Sequence, residues 1–163
     1  MVATDTALRA TPMPDQLFIG YPHLGYPCEY FMDPIANTGQ VKPIGGLWTS
    51  TLTSAGKSAW ARFAPDYFAV HPTQLGLASI LHPLAAARVA EIDNHVDLVA
   101  LVDRYPSQHS GGPPVLDFEA MAADFDAVHL TASGEVATCH PAREVNLKMW
   151  SVESTLWFRW MFV

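Results

Sequence analysis

Glu153 is the residue of this sequence best placed to do chemistry, because it is a lone carboxylate in an apolar stretch. The last sixteen residues, 148–163, hold three of the five tryptophans, and aromatic and β-branched side chains dominate, which favours a strand. Burying a carboxylate there is costly without partners. Two interpretations follow. Either Glu153 pairs with an arginine or a lysine or lies at the sheet rim, or it is a catalytic carboxylate on a rigid strand.

A glycine pair followed by hydroxyl side chains is the second candidate. Residues 44–51 read Ile-Gly-Gly-Leu-Trp-Thr-Ser-Thr and predict a strand over 46–51 that is entered through the glycines. Gly46 would let a ligand approach the backbone, although such pairs more often form a tight turn. The Gly-Lys-Ser/Thr ending of a phosphate loop is absent.

Other catalytic signatures are missing from the sequence. The seven histidines show no metal-ligand spacing, so no metal is expected. There is no Gly-x-Ser-x-Gly segment of a serine hydrolase. Cys28 and Cys139 stand apart, without metal or catalytic spacing. Reduced thiols in an intracellular protein are the expectation, and a disulfide is the alternative.

The composition indicates one globular domain. The chain has 163 residues, 50% of them apolar, and a net charge of −7 without a basic run, so nucleic-acid or acidic-membrane binding is not expected. No apolar segment is typical of a signal peptide or a membrane span, which favours the cytoplasm. Residues 1–15 are predicted to be a flexible arm and residues 16–163 the domain.

The elements that must hold these side chains are short strands and helices. With period two, residues 149–160 place apolar side chains on both faces, so this strand is predicted to be central. Further strands are predicted at 16–21, 46–51, 88–92 and 127–131, and the apolar runs 67–71 and 75–81 are predicted to be two short strands or one strand with a break.

Helices are predicted between these strands. One covers residues 95–105 after a cap at Asp93 or Asn94, and one covers residues 117–125 with Asp117 as its cap. A third begins after residue 53 and stops at Pro65. A turn at 133–134 and irregular chain over 135–147 lead to the last strand. The pattern is typical of an α+β domain with mostly antiparallel sheet.

Four short segments form a spaced pattern along the chain: Gly-Leu-Trp-Thr-Ser at 46–50, Ile-Asp at 92–93 with Tyr-Pro at 105–106, Asp-Phe-Glu at 117–119 with Asp-Ala-Val at 126–128, and the closing tryptophan strand. In these motifs the chain resembles small phage and bacterial proteins of the ADP-ribosyltransferase-like kind. The resemblance covers the chain from about residue 16 to the end. It implies a split two-sheet fold that cradles NAD as a substrate.

The resemblance also assigns roles to residues. Tyr21 or His23 would hold the nicotinamide ribose or amide, Ser50 or Thr49 would lie beside the nicotinamide, and Glu153 would be the catalytic carboxylate.

The chemistry suits these residue types. Cleaving the nicotinamide–ribose bond builds positive charge that a fixed carboxylate stabilises. A hydroxyl and the Gly46 turn would hold the amide. Trp48 would stack on the nicotinamide or, alternatively, fill the core.

The implied function is NAD-dependent ADP-ribosyl transfer to an acceptor that the sequence does not identify. Two other classes stay open. One is a non-enzymatic virion or assembly component on the same fold, and the other is a host-directed binding protein with an acidic surface. The implied location is the cytoplasm, that of the host for a phage protein, or the virion.

Overall fold

The described residues form a six-stranded sheet with four helices. The computed structural model describes residues 12–20, 29, 32–67, 78–107 and 114–163. The strands, in chain order, are β1 (Gln16–Phe18), β2 (Leu47–Thr51), β3 (Ser79–Leu81), β4 (Val89–Ile92), β5 (Ala127–Leu130) and β6 (Ser154–Trp157). The helices are α1 (Ala59–Tyr67), α2 (His95–Arg104), α3 (Phe118–Asp124) and α4 (Ala132–Thr138).

The last strand is central, as the two-faced apolar pattern predicts. The order across the sheet is β3-β1-β2-β6-β5-β4, so β6 lies between β2 and β5 and is antiparallel to both. Among the described strands, only β4 and β5 pair in parallel. Leu156 faces the core under α2 and α3. Trp157 faces the other side of the sheet and belongs to a second apolar cluster, which consists of Met13, Leu47, Leu81, Val89, Ala127, Trp157 and Phe162. The α+β class with mostly antiparallel sheet is therefore confirmed.

The closing strand is shorter than predicted. It covers only Ser154–Trp157, because the chain before it bends. Ser151 adopts a φ of 61°, and the Val152 N–H donates to the carbonyl oxygen of Trp150 at 2.7 Å. Glu153 therefore lies at the entrance of the strand and not in its middle.

Two helices are capped by the predicted residues. The Asn94 side chain accepts hydrogen bonds from the backbone of Val96 and Asp97, and the Asp97 carboxylate accepts one from the Asn94 N–H, which completes a capping box. The Asp117 carboxylate accepts a bond from the Ala120 N–H at the start of α3. Local side-chain chemistry fixes where both helices begin.

Two helix predictions are wrong. The turn at 133–134 is part of α4, and Gly134 is required there because a Cβ would lie 2.0 Å from the Ile92 carbonyl oxygen. Helix α1 continues past Pro65 to Tyr67, because a proline near a helix end removes one backbone hydrogen bond without terminating the helix.

Several predictions fall partly or wholly outside the described residues. Of the arm, only residues 12–15 are described, and Met13 is buried in the second cluster. Cys28 also lies outside, whereas Cys139 is a half-buried free thiol whose pKa burial raises to about 11. Among the helices that the structure describes, none is long and apolar enough to cross a membrane.

Candidate active site

Three strand ends meet at Glu153. Residue 153 directly precedes β6, and the antiparallel register pairs Thr49 with Thr155 on one side and Leu130 with Ser154 on the other. The carboxyl ends of β2 and β5 therefore flank the beginning of β6. Side chains that are distant in sequence are brought together at this edge of the sheet.

Glu153 accepts hydrogen bonds from three directions. The Ser50 hydroxyl donates to Oε2 at 2.6 Å, and the Thr51 N–H donates to Oε1 at 3.1 Å. The His129 Nε2 atom lies 3.0 Å from Oε1. The residue is buried, with 8% of its surface exposed. None of these partners is the arginine or lysine of the first interpretation, whereas the location at the sheet rim agrees with it.

These contacts decide the charge of the carboxyl group. Burial raises the pKa of Glu153, because it disfavours the charged form. Hydrogen bonds from His129 and Ser50, attraction to the His129 ring and the bond from Thr51 outweigh the effect of burial, so the pKa is lowered overall. Glu153 is a carboxylate at neutral pH.

His129 connects Glu153 to a second acidic residue. Its Nδ1 atom lies 3.4 Å from Oε2 of Glu91, the paired residue on the parallel strand β4. The His129 side chain is 7% exposed and that of Glu91 is 30% exposed. The ring thus lies between a buried carboxylate at the cleft and a partly exposed one.

A hydroxyl network fastens the beginning of α1 to the sheet. The Ser58 hydroxyl donates to the Ser50 hydroxyl at 2.8 Å and accepts from the Trp60 N–H at 3.2 Å. The Trp60 indole N–H donates to the Ser154 hydroxyl at 2.9 Å. The α1 side of the cleft is therefore held against the Glu153 side.

An open cleft of about 410 Å³ lies in front of these residues. Its walls come from the β2–α1 segment, the ends of β5 and β6 and the start of α4, and they include Thr51, Thr53, Lys57, Ser58, Arg62, His129, Thr131 and Glu153. Lys57 and Arg62 are exposed cations, and within the described part of the chain neither forms an ion pair. The volume is typical of a small-molecule site.

The structure brings together two of the residues singled out in the sequence, Ser50 and Glu153. Ser50 is fully buried behind the cleft wall, where it contacts Glu153 directly. Thr49 is buried on the face opposite to Ser50 and donates to Gln16 at 2.7 Å. It is not part of the cleft wall.

Gly46 and Trp48 also lie away from the cleft. A Cβ at Gly46 would meet the Trp157 carbonyl oxygen at 2.6 Å, so this glycine permits close packing of two strands. Trp48 packs against the core and makes a T-shaped contact with Trp150, with ring centroids 4.8 Å apart. The positions favour a tight turn at Gly46 and a role in the core for Trp48.

Tyr21 and His23 lie outside the described residues. Their assignment to the nicotinamide ribose or amide stays a prediction.

Sequence reasoning missed the rest of the cleft. His129 reads as one member of an apolar strand, and its partner Glu91 lies 38 residues earlier. Lys57, Ser58 and Arg62 follow the glycine segment closely, and their spacing around the start of α1 places all of them at the cleft. The helix start at Ala59 was the one signal that could have found them.

Among the described residues, no group of three or more histidine, cysteine, aspartate or glutamate side chains is placed to hold a metal ion.

No family model, curated protein or solved structure matches the chain.

Proposed function

We propose that the protein binds NAD in this cleft and transfers ADP-ribose from it to an acceptor, with Glu153 as the catalytic carboxylate. The observation that carries the proposal is the contact between Glu153, which lines an open cleft, and Ser50, which is buried directly behind it and lies 103 residues away in sequence. The resemblance assigns these two residues to one nicotinamide site. The split into two sheets that the resemblance implies is part of the proposal.

The charge of Glu153 suits the reaction. When the bond from ribose C1′ to nicotinamide breaks, the electron pair leaves with the nicotinamide nitrogen and C1′ becomes positive. A carboxylate fixed by Ser50, Thr51 and His129 stabilises this charge without reorganising during the step. The acceptor then forms a bond to C1′ and gives up a proton.

The two cations of the cleft suit the rest of the substrate. Lys57 and Arg62 line the same cleft as Glu153 in a protein whose net charge is −7. The pyrophosphate of NAD carries two negative charges, and a lysine or arginine forms strong, charge-assisted hydrogen bonds to phosphate oxygens. Lys57 and Arg62 on the α1 side would bind the pyrophosphate of NAD. Glu153 at the entrance of β6 would lie at the nicotinamide ribose.

The test is nicotinamide release by the wild type and by Glu153→Gln, together with calorimetry of NAD binding. The glutamine keeps the shape of the side chain and removes its charge. Turnover should fall by about 10²–10³-fold, or roughly 3–4 kcal/mol, while NAD affinity stays almost unchanged. The matched control is Glu144→Gln, which makes the same change at an exposed residue and should keep full turnover.

Two outcomes would contradict the proposal. If NAD does not bind at millimolar concentration, the chain is not an NAD enzyme, and an assembly or binding protein becomes the better interpretation. If NAD binds but both variants turn over equally, Glu153 has no catalytic role.

A further inference from the structure

We propose that His129 is a positioning residue that fixes the Glu153 carboxylate and keeps it ionised, and that Glu91 anchors the His129 ring. The catalytic consequence rests on the proposed function, whereas the effect on Glu153 itself does not. Neither His129 nor Glu91 is predicted to be functional by the sequence.

The geometry leaves the ring little freedom. His129 is on the central part of the sheet, with Glu91 beside it on β4 and Thr155 beside it on β6. Each ring nitrogen faces a carboxylate oxygen, at 3.0 Å from Glu153 and 3.4 Å from Glu91. Contacts at both ends set the direction in which Nε2 points, and so set where the Glu153 carboxylate lies.

The two ring nitrogens hold His129 between two carboxylates. A neutral imidazole has one N–H and can donate to only one of the two carboxylates, whereas an imidazolium donates to both. In either state Glu91 holds the ring from the side opposite to Glu153.

Other charged groups face the same cluster. Lys57 and Arg62 line the cleft on the α1 side. Asp93, at the end of β4, accepts a hydrogen bond from the Thr131 hydroxyl, which lines the cleft.

Removing the ring leaves Glu153 with fewer donors in the same buried place. The Ser50 and Thr51 bonds would remain, while the hydrogen bond and the charge of His129 would be lost. Burial would then raise the pKa of Glu153 relative to the wild type.

The first experiment needs no substrate. The Glu153 carboxyl carbon is followed by ¹³C NMR during a pH titration, and its signal is identified by its absence in Glu153→Gln. The titration midpoint should move to higher pH in His129→Phe. It should move less in His129→Gln, whose amide N–H can replace the hydrogen bond but not the charge. In Glu91→Gln the ring and its bond to Glu153 remain, so the midpoint should stay closer to that of the wild type than in His129→Phe.

The second experiment measures nicotinamide release against pH in the same variants. Because only ionised Glu153 stabilises the cation, activity falls as pH drops through its pKa. The acid limb should therefore move to higher pH in His129→Phe. At the plateau kcat should fall by about 10²-fold, as expected for a displaced catalytic group, with KM little changed. His129→Gln should recover part of that loss.

The outcomes separate this inference from the proposed function. An unchanged Glu153 midpoint in His129→Phe overturns the inference, whatever the enzyme activity. A shifted midpoint in a protein that does not turn over NAD supports the positioning role and contradicts the proposed reaction. If circular dichroism shows His129→Phe to be unfolded, an unchanged midpoint in both His129→Gln and Glu91→Gln overturns the inference equally.

Discussion

The face of the sheet that carries α2 and α3 is packed mostly with apolar side chains, apart from Ser50 and Ser154 near the cleft, whereas the opposite face carries a row of buried polar side chains beside the second apolar cluster. Leu101, Phe118 and Met121 are each 0–1% exposed in the helical core. The row on the other face runs across four strands and consists of Gln16, Thr49, Thr155, His129 and Glu153. At its end the row opens into the cleft.

The contrast separates stability from chemistry. Apolar burial stabilises the fold by roughly 25 cal/mol for each Å² removed from water. A buried polar group contributes little net stability even when it is hydrogen-bonded, and it costs stability when it is not. The helical core and the second apolar cluster therefore account for most of the folding free energy, whereas the polar row reaches the Glu153 carboxylate through His129.

The largest expected effect on stability is at Trp157. Its ring packs in the second apolar cluster, and its indole N–H bonds to the polar row. Its ring is fully buried against Phe162, and its indole N–H donates to the Thr49 hydroxyl at 2.9 Å. Trp157→Ala should lower the free energy of unfolding by about 3–5 kcal/mol in urea denaturation.

Two further substitutions are compared with it. Trp157→Phe should lower the free energy of unfolding by about 1–3 kcal/mol, because Thr49 loses its donor and the smaller ring leaves a cavity. On the helical face Phe118→Ala should cost as much as Trp157→Ala, with no hydrogen bond involved. If Trp157→Phe is as stable as the wild type, the hydrogen bonds of the row contribute nothing to stability.

An intermediate effect is expected where the polar face meets the cleft. Lys57→Met and Arg62→Met should each weaken NAD binding by about 10–100-fold, or roughly 1.5–3 kcal/mol, because each removes a charged donor. Calorimetry with Lys148→Met, an exposed lysine outside the cleft, gives the control. Equal affinity in all three variants would mean that the pyrophosphate does not lie at α1.

The smallest expected effects have opposite signs within the row. The Thr155 hydroxyl is fully buried and has no hydrogen-bond partner among the described residues, whereas that of Thr49 has two. Thr155→Val should raise the free energy of unfolding by about 1 kcal/mol, and Thr49→Val should lower it by about 1–2 kcal/mol. Thermal unfolding of this isosteric pair is the measurement. A loss of stability in both variants would show that Thr155 has a polar partner.

Features that depend on local chemistry could be predicted from the sequence. Asn94 and Asp117 cap helices because their side chains bond to backbone groups within three residues. The central position of β6 follows from apolar residues on both of its faces, one covered by the helices and the other by the second cluster.

Features that depend on distant contacts could not be predicted in the same way. In the sequence, Gly134 is typical of a turn. In the structure, it is required because the Ile92 carbonyl oxygen leaves no room for a Cβ. His129 gives no local signal, because its role comes from Glu91 on a neighbouring strand and Glu153 at the entrance of another. The meeting of Ser50 and Glu153 was expected only through the resemblance.

The most direct test of the central claim is a crystal structure of Glu153→Gln with NAD, because slow turnover should leave the dinucleotide intact. The expected result is the ribose C1′ atom facing the side chain of residue 153, with the pyrophosphate beside Lys57 and Arg62. NAD bound outside the cleft, or bound in it with the pyrophosphate against residue 153, would contradict the claim.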